Sequence, residues 1–368
     1  MKRRFVLGLM AGVLSLSLLA GCTAEVKPVE DPTPTTSATG NSTTVTPPTT
    51  TAPTDTVTPP TASPGDPAKF NRFTGAYDNE AGVSSRPVAV MIGNNDRSRP
   101  QVGLSAADWF VEAETEGGIT RIMAVFADES RVPEQLCPIR SARTPFIKLA
   151  SALDAVYVHA GGSIAGLELL GQTRQDAVNA LMNHGNTFWR DAELRAQKGL
   201  EYSLSTSGDK LENRLEQLKF RGHTERPFYT FADEAVAGTP CTELTAVYSG
   251  AQSVRFVYNA TTGTYTKYHA GRNDNYVLHT DAAGRTIDVA NVIVMYDTKY
   301  TENEVTIGFT LSSGNGIICA GGQMRQIQWQ RTDNGLTFTE NGQPVTFLPG
   351  KTYICLINKN NQGSTVIR

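Results

Sequence analysis

The sequence predicts an α/β (or α+β) N-terminal domain with a mixed or parallel sheet, followed by a mainly antiparallel β C-terminal domain. Two patterns carry that reading. Val88 to Ile92, Ile122 to Phe126 and Ala155 to Val158 are short aliphatic runs without clean alternation, the mark of strands buried on both faces. Helical candidates lie between them, and strand–helix alternation argues for a layered α/β architecture. Beyond residue 240 the pattern changes to many short strand-like runs broken by turn signals.

The N-terminus reads as an address. Lys2, Arg3 and Arg4 precede an apolar stretch from Phe5 to Leu19, too short for an ordinary membrane span. It ends Leu19-Ala20-Gly21-Cys22, which resembles the bacterial lipobox. That resemblance implies a lipidated Cys22 at the mature N-terminus and a chain anchored to a membrane rather than spanning it. Residues from about Pro28 to Pro67 are almost entirely Thr, Pro, Ser, Ala, Gly and Asp, with no aromatic residue. Such a segment buries too little apolar surface to offset its ordering entropy. Its prolines favour extension, so about 40 residues at roughly 3.1 Å each reach something over 100 Å at the extreme. The expected organisation is a signal peptide over 1–22, a stalk over 23–69, an α/β domain over 70–237 and a β-rich domain over 238–368.

The whole chain has 368 residues and a formal charge of −3, which gives no reason to expect nucleic acid as a partner. Besides Cys22 there are Cys137, Cys241, Cys319 and Cys355. None forms a C-x-x-C pair or has a His at metal-ligand spacing, so no zinc site and no cofactor are expected. A Cys319–Cys355 disulfide and four buried thiols both fit an extracellular location.

In the α/β domain, Ser105 is a candidate cap for a helix running to about Glu116 and ended by Gly117-Gly118. That helix would place Glu112 and Glu116, spaced i, i+4, on one face. Paired carboxylates serve as general acid and base or bind a hard cation; the simpler reading is a helix end neutralised by Arg121. Pro145 suits the first turn of a helix ending near Leu153. Arg140-Ser141-Ala142-Arg143 ahead of it offers two guanidinium groups and a hydroxyl to a carboxylate or phosphate, or else bridges to neighbouring carboxylates. His159-Ala160-Gly161-Gly162-Ser163 has a strand–turn–helix context, but Ala165 stands where G-x-S-x-G needs its second glycine. Ser163 is then a helix cap, and His159 a hydrogen-bonded core histidine. His184 and His223 have no informative neighbours.

Five blocks in order carry a resemblance. They are Arg86-Pro87-Val88-Ala89-Val90-Met91-Ile92, Arg99-Pro100-Gln101-Val102-Gly103-Leu104, Glu116-Gly117-Gly118-Ile119-Thr120-Arg121, Pro138-Ile139-Arg140-Ser141-Ala142-Arg143, and Asp154-Ala155-Val156-Tyr157-Val158-His159 with Ala160-Gly161-Gly162-Ser163. Together they resemble the YerB lipoprotein family, which carries the DUF3048 domain of unknown function. The resemblance implies a Gram-positive lipoprotein with N- and C-terminal DUF3048 modules. It brings no established reaction, cofactor or catalytic residue. The chain departs from the family pattern after Trp189-Arg190-Asp191, where Glu201-Tyr202-Ser203-Leu204 replaces a His-Asn pair, and after the first strand, where an Asn-His is missing.

In the β-rich domain, strands are expected near 254–258, 264–268, 291–296, 317–320, 326–331, 336–339 and 352–357. Turns are expected at Thr262-Gly263, Ala283-Gly284, Asn334-Gly335 and Asn341-Gly342. Gln326, Gln328 and Gln330 read as a solvated face, and His269, His279 and Asp281 form no recognisable catalytic or metal spacing.

The functional expectation is a membrane-anchored binding or accessory protein of the cell envelope, leaning away from enzyme activity. Its cleft would use Asn94, Arg99, Gln101, Glu112, Glu116, Arg121, Arg140, Ser141, Arg143, His159 and Ser163 to hold an anionic ligand, a peptidoglycan fragment or a wall-synthesis protein. The alternative is a cell-wall hydrolase using Glu112 and Glu116, or Ser163 with His159.

Overall fold

The computed structural model describes residues 65–182, 185–222, 229–271, 275–303, 305–332 and 335–368. The leader, Cys22 and most of the stalk lie outside these residues, as do His184, His223 and Asn334. β1 (Val88–Gly93), β2 (Trp109–Glu114) and β3 (Thr120–Phe126) form as runs buried on both faces. β1 is antiparallel to β3 and parallel to β4 (Val156–His159). β5 (Ala177–Asn179) continues the parallel edge beside β4. This N-terminal region is thus a mixed sheet with helices. α1 (Thr144–Ala152) has Pro145 in its first turn, where a missing N–H costs nothing. α2 (Ile164–Thr173) is capped by the Ser163 hydroxyl, which accepts from the Gly166 N–H at 3.1 Å. α3 (Ala192–Lys198) and α4 (Gly208–Leu218) follow.

The helix expected from Ser105 to about Glu116 does not form. The segment holding Glu112 is a strand, not a helix, and Glu116 sits beyond it in a one-turn 3₁₀ segment. Trp109-Phe110-Val111 favours a pleated, two-sided environment, and β2 pairs along its length with β3. Glu112 and Glu116 therefore share no helical face.

The C-terminal region is mostly antiparallel. β6 (Glu243–Val247), β7 (Ser253–Asn259), β8 (Thr264–Ala270) and β9 (Tyr276–Leu278) form a second sheet. β10 (Asn291–Asp297), β11 (Ser313–Ala320), β12 (Gln323–Thr332) and β13 (Gly335–Glu340) extend the first one. Asn341 and Gly342 both adopt positive φ, 51° and 79°, as a two-residue hairpin turn demands. Gln326, Gln328 and Gln330 are exposed, alternating with buried Arg325, Ile327 and Trp329.

β14 (Thr352–Asn358) ties the two regions together. It lies between β10 and β2 and is parallel to both. The main sheet consequently runs β13–β12–β11–β10–β14–β2–β3–β1–β4–β5 without a break. One core lies between the two sheets, with Val90, Phe110, Ile122 and Tyr353 facing Leu244, Val254 and Phe256. The other lies under α1, where Phe146, Ile147 and Leu149 meet Met91, Val111 and Val125. Each such aliphatic or aromatic side chain contributes about 1.5–3 kcal/mol on burial.

Candidate functional site

The two cores lie on opposite faces of the sheet, and the pleat sorts the polar residues between them. Ile122 and Ala124 belong to the inter-sheet core, Met123 and Val125 to the core under α1. Side chains alternate along a strand, so Thr120 and its neighbour Glu112 point toward the second sheet. Arg121 points the other way. The residues expected in one cleft form two separate groups.

On the inter-sheet face, Glu112 is fully buried. Its Oε1 accepts from Thr120 Oγ1 at 2.6 Å and Asn94 Nδ2 at 2.8 Å. Its Oε2 accepts from the Tyr353 hydroxyl at 2.5 Å and lies 3.4 Å from Lys267 Nζ. Lys267 in turn donates to His279 Nδ1 at 2.9 Å, and His279 Nε2 is 3.0 Å from Gln101 Oε1. Gln101 Nε2 donates to the Gly93 carbonyl at 2.9 Å and to Asn94 Oδ1 at 3.2 Å. An ammonium can only donate, so His279 accepts at Nδ1 and carries its proton on Nε2. A neutral His279 agrees with its pKa, held well below the ordinary value by burial first and then by the Lys267 charge. Burial likewise lowers Lys267, against the attraction of Glu112, and raises the Tyr353 hydroxyl, with the Glu112 charge adding to it. Arg99, lowered chiefly by burial, caps the group through Asp96 and the Asn94 carbonyl.

On the other face Glu116 holds two arginines. Arg121 donates to its Oε1 at 2.7 Å and Arg143 to its Oε2 at 2.7 Å, with a second Arg143 contact to Oε1. Arg121 also reaches the Ser141 carbonyl at 2.8 Å, and Arg143 the Ala142 carbonyl at 2.7 Å. Burial opposes ionisation of Glu116, but the Arg143 hydrogen bond and both guanidinium charges hold its carboxyl down at about 2. Arg121 is brought down to about 10, by burial and then by Arg143. One carboxylate against two guanidinium groups leaves a positive charge in excess. Arg140 stands apart, paired with exposed Glu201 at 3.3 Å and lying over the Tyr202 ring.

His159 is buried, stacks on Tyr157 and meets the Gly161 carbonyl at 2.7 Å through Nδ1. A carbonyl only accepts, so Nδ1 bears the proton. The same carbonyl takes the Ala142 N–H at 2.9 Å, which fastens the glycine loop to the Arg140–Arg143 segment. Among the described residues, no group of three or more His, Cys, Asp or Glu side chains is arranged to hold a metal ion.

Sequence reasoning missed Lys267, His279 and Tyr353 as members of the Glu112 group. A signal existed for Lys267. Along Thr264-Tyr265-Thr266-Lys267 the inward positions alternate, so buried Tyr265 puts Lys267 on the core face. The four cysteines among the described residues, Cys137, Cys241, Cys319 and Cys355, are buried thiols. Cys319 of β11 and Cys355 of β14 are kept apart by β10, which pairs with both strands.

A two-sheet protein with a mixed α/β half, a β-rich half and a buried polar seam is thus defined by the chain. Its family follows from comparison. Residues 73–221 match the N-terminal domain, and residues 244–354 the C-terminal domain, of the protein of unknown function DUF3048. The chain belongs to the DUF3048, YerB-like family. It is 27% identical over 287 residues to YerB of Bacillus subtilis (strain 168), which carries a provisional lipoprotein name; the match covers 77% of this chain and 85% of that one. The crystal structure of Bacillus subtilis YerB superposes with a TM-score of 0.69 at 26% identity, covering 81% of this chain and 98% of the other.

Proposed function

We propose that the chain is a lipid-anchored protein on the outer face of the cytoplasmic membrane, held through Cys22 and carried on its Thr/Pro-rich stalk. It works there as a binding or accessory protein of the Gram-positive envelope, taking an anionic group of a peptidoglycan fragment or of a wall-synthesis protein. The relative's lipoprotein name and the sequence Leu19-Ala20-Gly21-Cys22 support the address. The observation that carries the binding role is the pair Arg121 and Arg143 on a single Glu116, with Arg140 close by in sequence. A surplus guanidinium between the start of β3 and the start of α1 favours a carboxylate or phosphate. Ser163, engaged as a helix cap, and His159, turned to a backbone carbonyl, lend no support to the hydrolase alternative.

A thermal-shift series with muropeptides, repeated on Arg140→Ala and Arg143→Ala, tests this reading. Stabilisation of the wild type by acidic muropeptides, lost in variants that still fold, is the expected result. No stabilisation by any wall-derived anion removes the small-ligand form of the proposal, and release of soluble products from purified peptidoglycan would replace it with the hydrolase.

A further inference from the structure

Cys241 and Cys319 are 78 positions apart in sequence, yet their sulfur atoms stand 3.4 Å from each other, with no exposed surface on either residue. The backbone places them. Thr239 and Pro240 pair with the start of β12, and the Cys241 N–H donates to the Gly322 carbonyl at 2.8 Å. The Cys241 carbonyl accepts from the Tyr265 hydroxyl at 2.8 Å. Cys319, one strand over on β11, faces the same inter-sheet core. Cys241 therefore sits where the chain leaves the main sheet to begin β6 of the second one, and Cys319 belongs to the main sheet.

We infer that Cys241 and Cys319 form a disulfide when the chain matures outside the cytoplasm, stapling the two sheets across their shared core. The inference rests on the outward-facing location proposed above, because thiols persist reduced in the cytosol and pair in oxidising compartments. Two S–H bonds break and one S–S bond forms. In exchange, the S–S bond of an extracytoplasmic thiol–disulfide exchange protein breaks, and its two sulfurs take up the two electrons and, by way of solvent, the two protons to become a dithiol. The other cysteines are excluded by position. Cys355 is separated from Cys319 by β10, and Cys137 lies against the Tyr202 carbonyl in the N-terminal half. Both stay as thiols.

The full chain, produced in a host that processes lipoproteins, is alkylated at lysis and mapped by non-reducing mass spectrometry; protease shaving of intact cells reports location separately. The expected result is a shaved protein, two hydrogens lighter than its fully reduced form, with one Cys241–Cys319 peptide and with Cys137 and Cys355 alkylated on unfolding. Reductant should lower its thermal midpoint to that of the Cys241→Ser/Cys319→Ser double variant, which itself should ignore reductant. A shaved protein with four alkylated cysteines overturns the disulfide and leaves the location standing. If the protein resists shaving, the location fails instead, and refolding of the reduced chain in a glutathione buffer decides the pairing. Formation of Cys241–Cys319 there supports it, and any other pair, or none, overturns it.

Discussion

Lys267 of β8 stands 3.4 Å from Glu112 of β2, and neither side chain reaches solvent. The pair joins the second sheet to the main one at their common core, with Tyr353, Thr120 and Asn94 completing the carboxylate's hydrogen bonds. A buried ion pair of this kind is a weak source of net stability, but losing one partner strands the other charge. Lys267→Met should cost about 3–5 kcal/mol in urea unfolding, and adding Glu112→Gln should restore part of that loss. A single-variant cost below about 1 kcal/mol would show that the carboxylate finds water or a proton without penalty.

Acid should weaken the fold in two stages. Burial, then the Arg99 charge, holds His269 down to about 4 from an ordinary 6.5, and His279 is also well below that value. Both are neutral when folded and take up protons near 6.5 when unfolded. The unfolded chain binds more protons over that window, so stability falls as pH drops from about 6.5 toward 4. Glu116 acts lower. Held at about 2 against an ordinary 4.5, it contributes fully above 4.5, and its contribution is lost as pH falls toward 2. Urea midpoints measured from pH 7 to pH 3 should decline throughout, with a shallower upper limb in His279→Gln. A flat curve between pH 7 and pH 4.5 contradicts the histidine assignment.

The arginines on Glu116 are expected to behave as a unit. Glu116→Gln removes the charge that two buried guanidinium groups share, and should destabilise by about 2–4 kcal/mol. Arg143→Lys should also be costly, because an ammonium cannot reproduce the forked contact with both carboxylate oxygens. Double-mutant cycles between Glu116 and Arg143 should give a coupling of more than about 1 kcal/mol. Additive effects would mean that the contacts are incidental.

Much of the N-terminal sheet was legible because β1, β3 and β4 are aliphatic runs with polar loops at their ends, and because Ser163 and Pro145 mark helix starts. β2 was not. Glu112 and Glu116 at i, i+4, behind a plausible Ser105 cap, imitate a helix, whereas Glu112 is an inward polar position of a strand whose partners come from elsewhere. Those partners, Lys267, Tyr353 and His279, belong to the far half of the chain, and no local pattern reports a contact across that separation. The arginine cluster was legible as residue types and spacing. Its division from the Glu112 group was not, since it follows from which face of the pleat each residue takes.

The two halves share one continuous sheet and should not fold apart. β14, near the chain's end, supplies the neighbour of β2 on one side, residue against residue from Trp109–Thr352 to Ala113–Leu356. A fragment ending at residue 237 would expose that strand edge, lose Lys267 and Tyr353 from around Glu112, and uncover the core face that β6 and β7 pack against. An exposed hydrophobic strand edge invites association, and an unpaired buried carboxylate adds several kcal/mol of penalty. Residues 65–237 expressed alone should therefore lack near-ultraviolet circular dichroism, bind hydrophobic dyes and aggregate, whereas residues 65–368 should unfold in one cooperative step. A monomeric 65–237 fragment with a sharp melting transition would show that the sheet can be cut at β2, and that the shared strand is an interface between two self-sufficient modules.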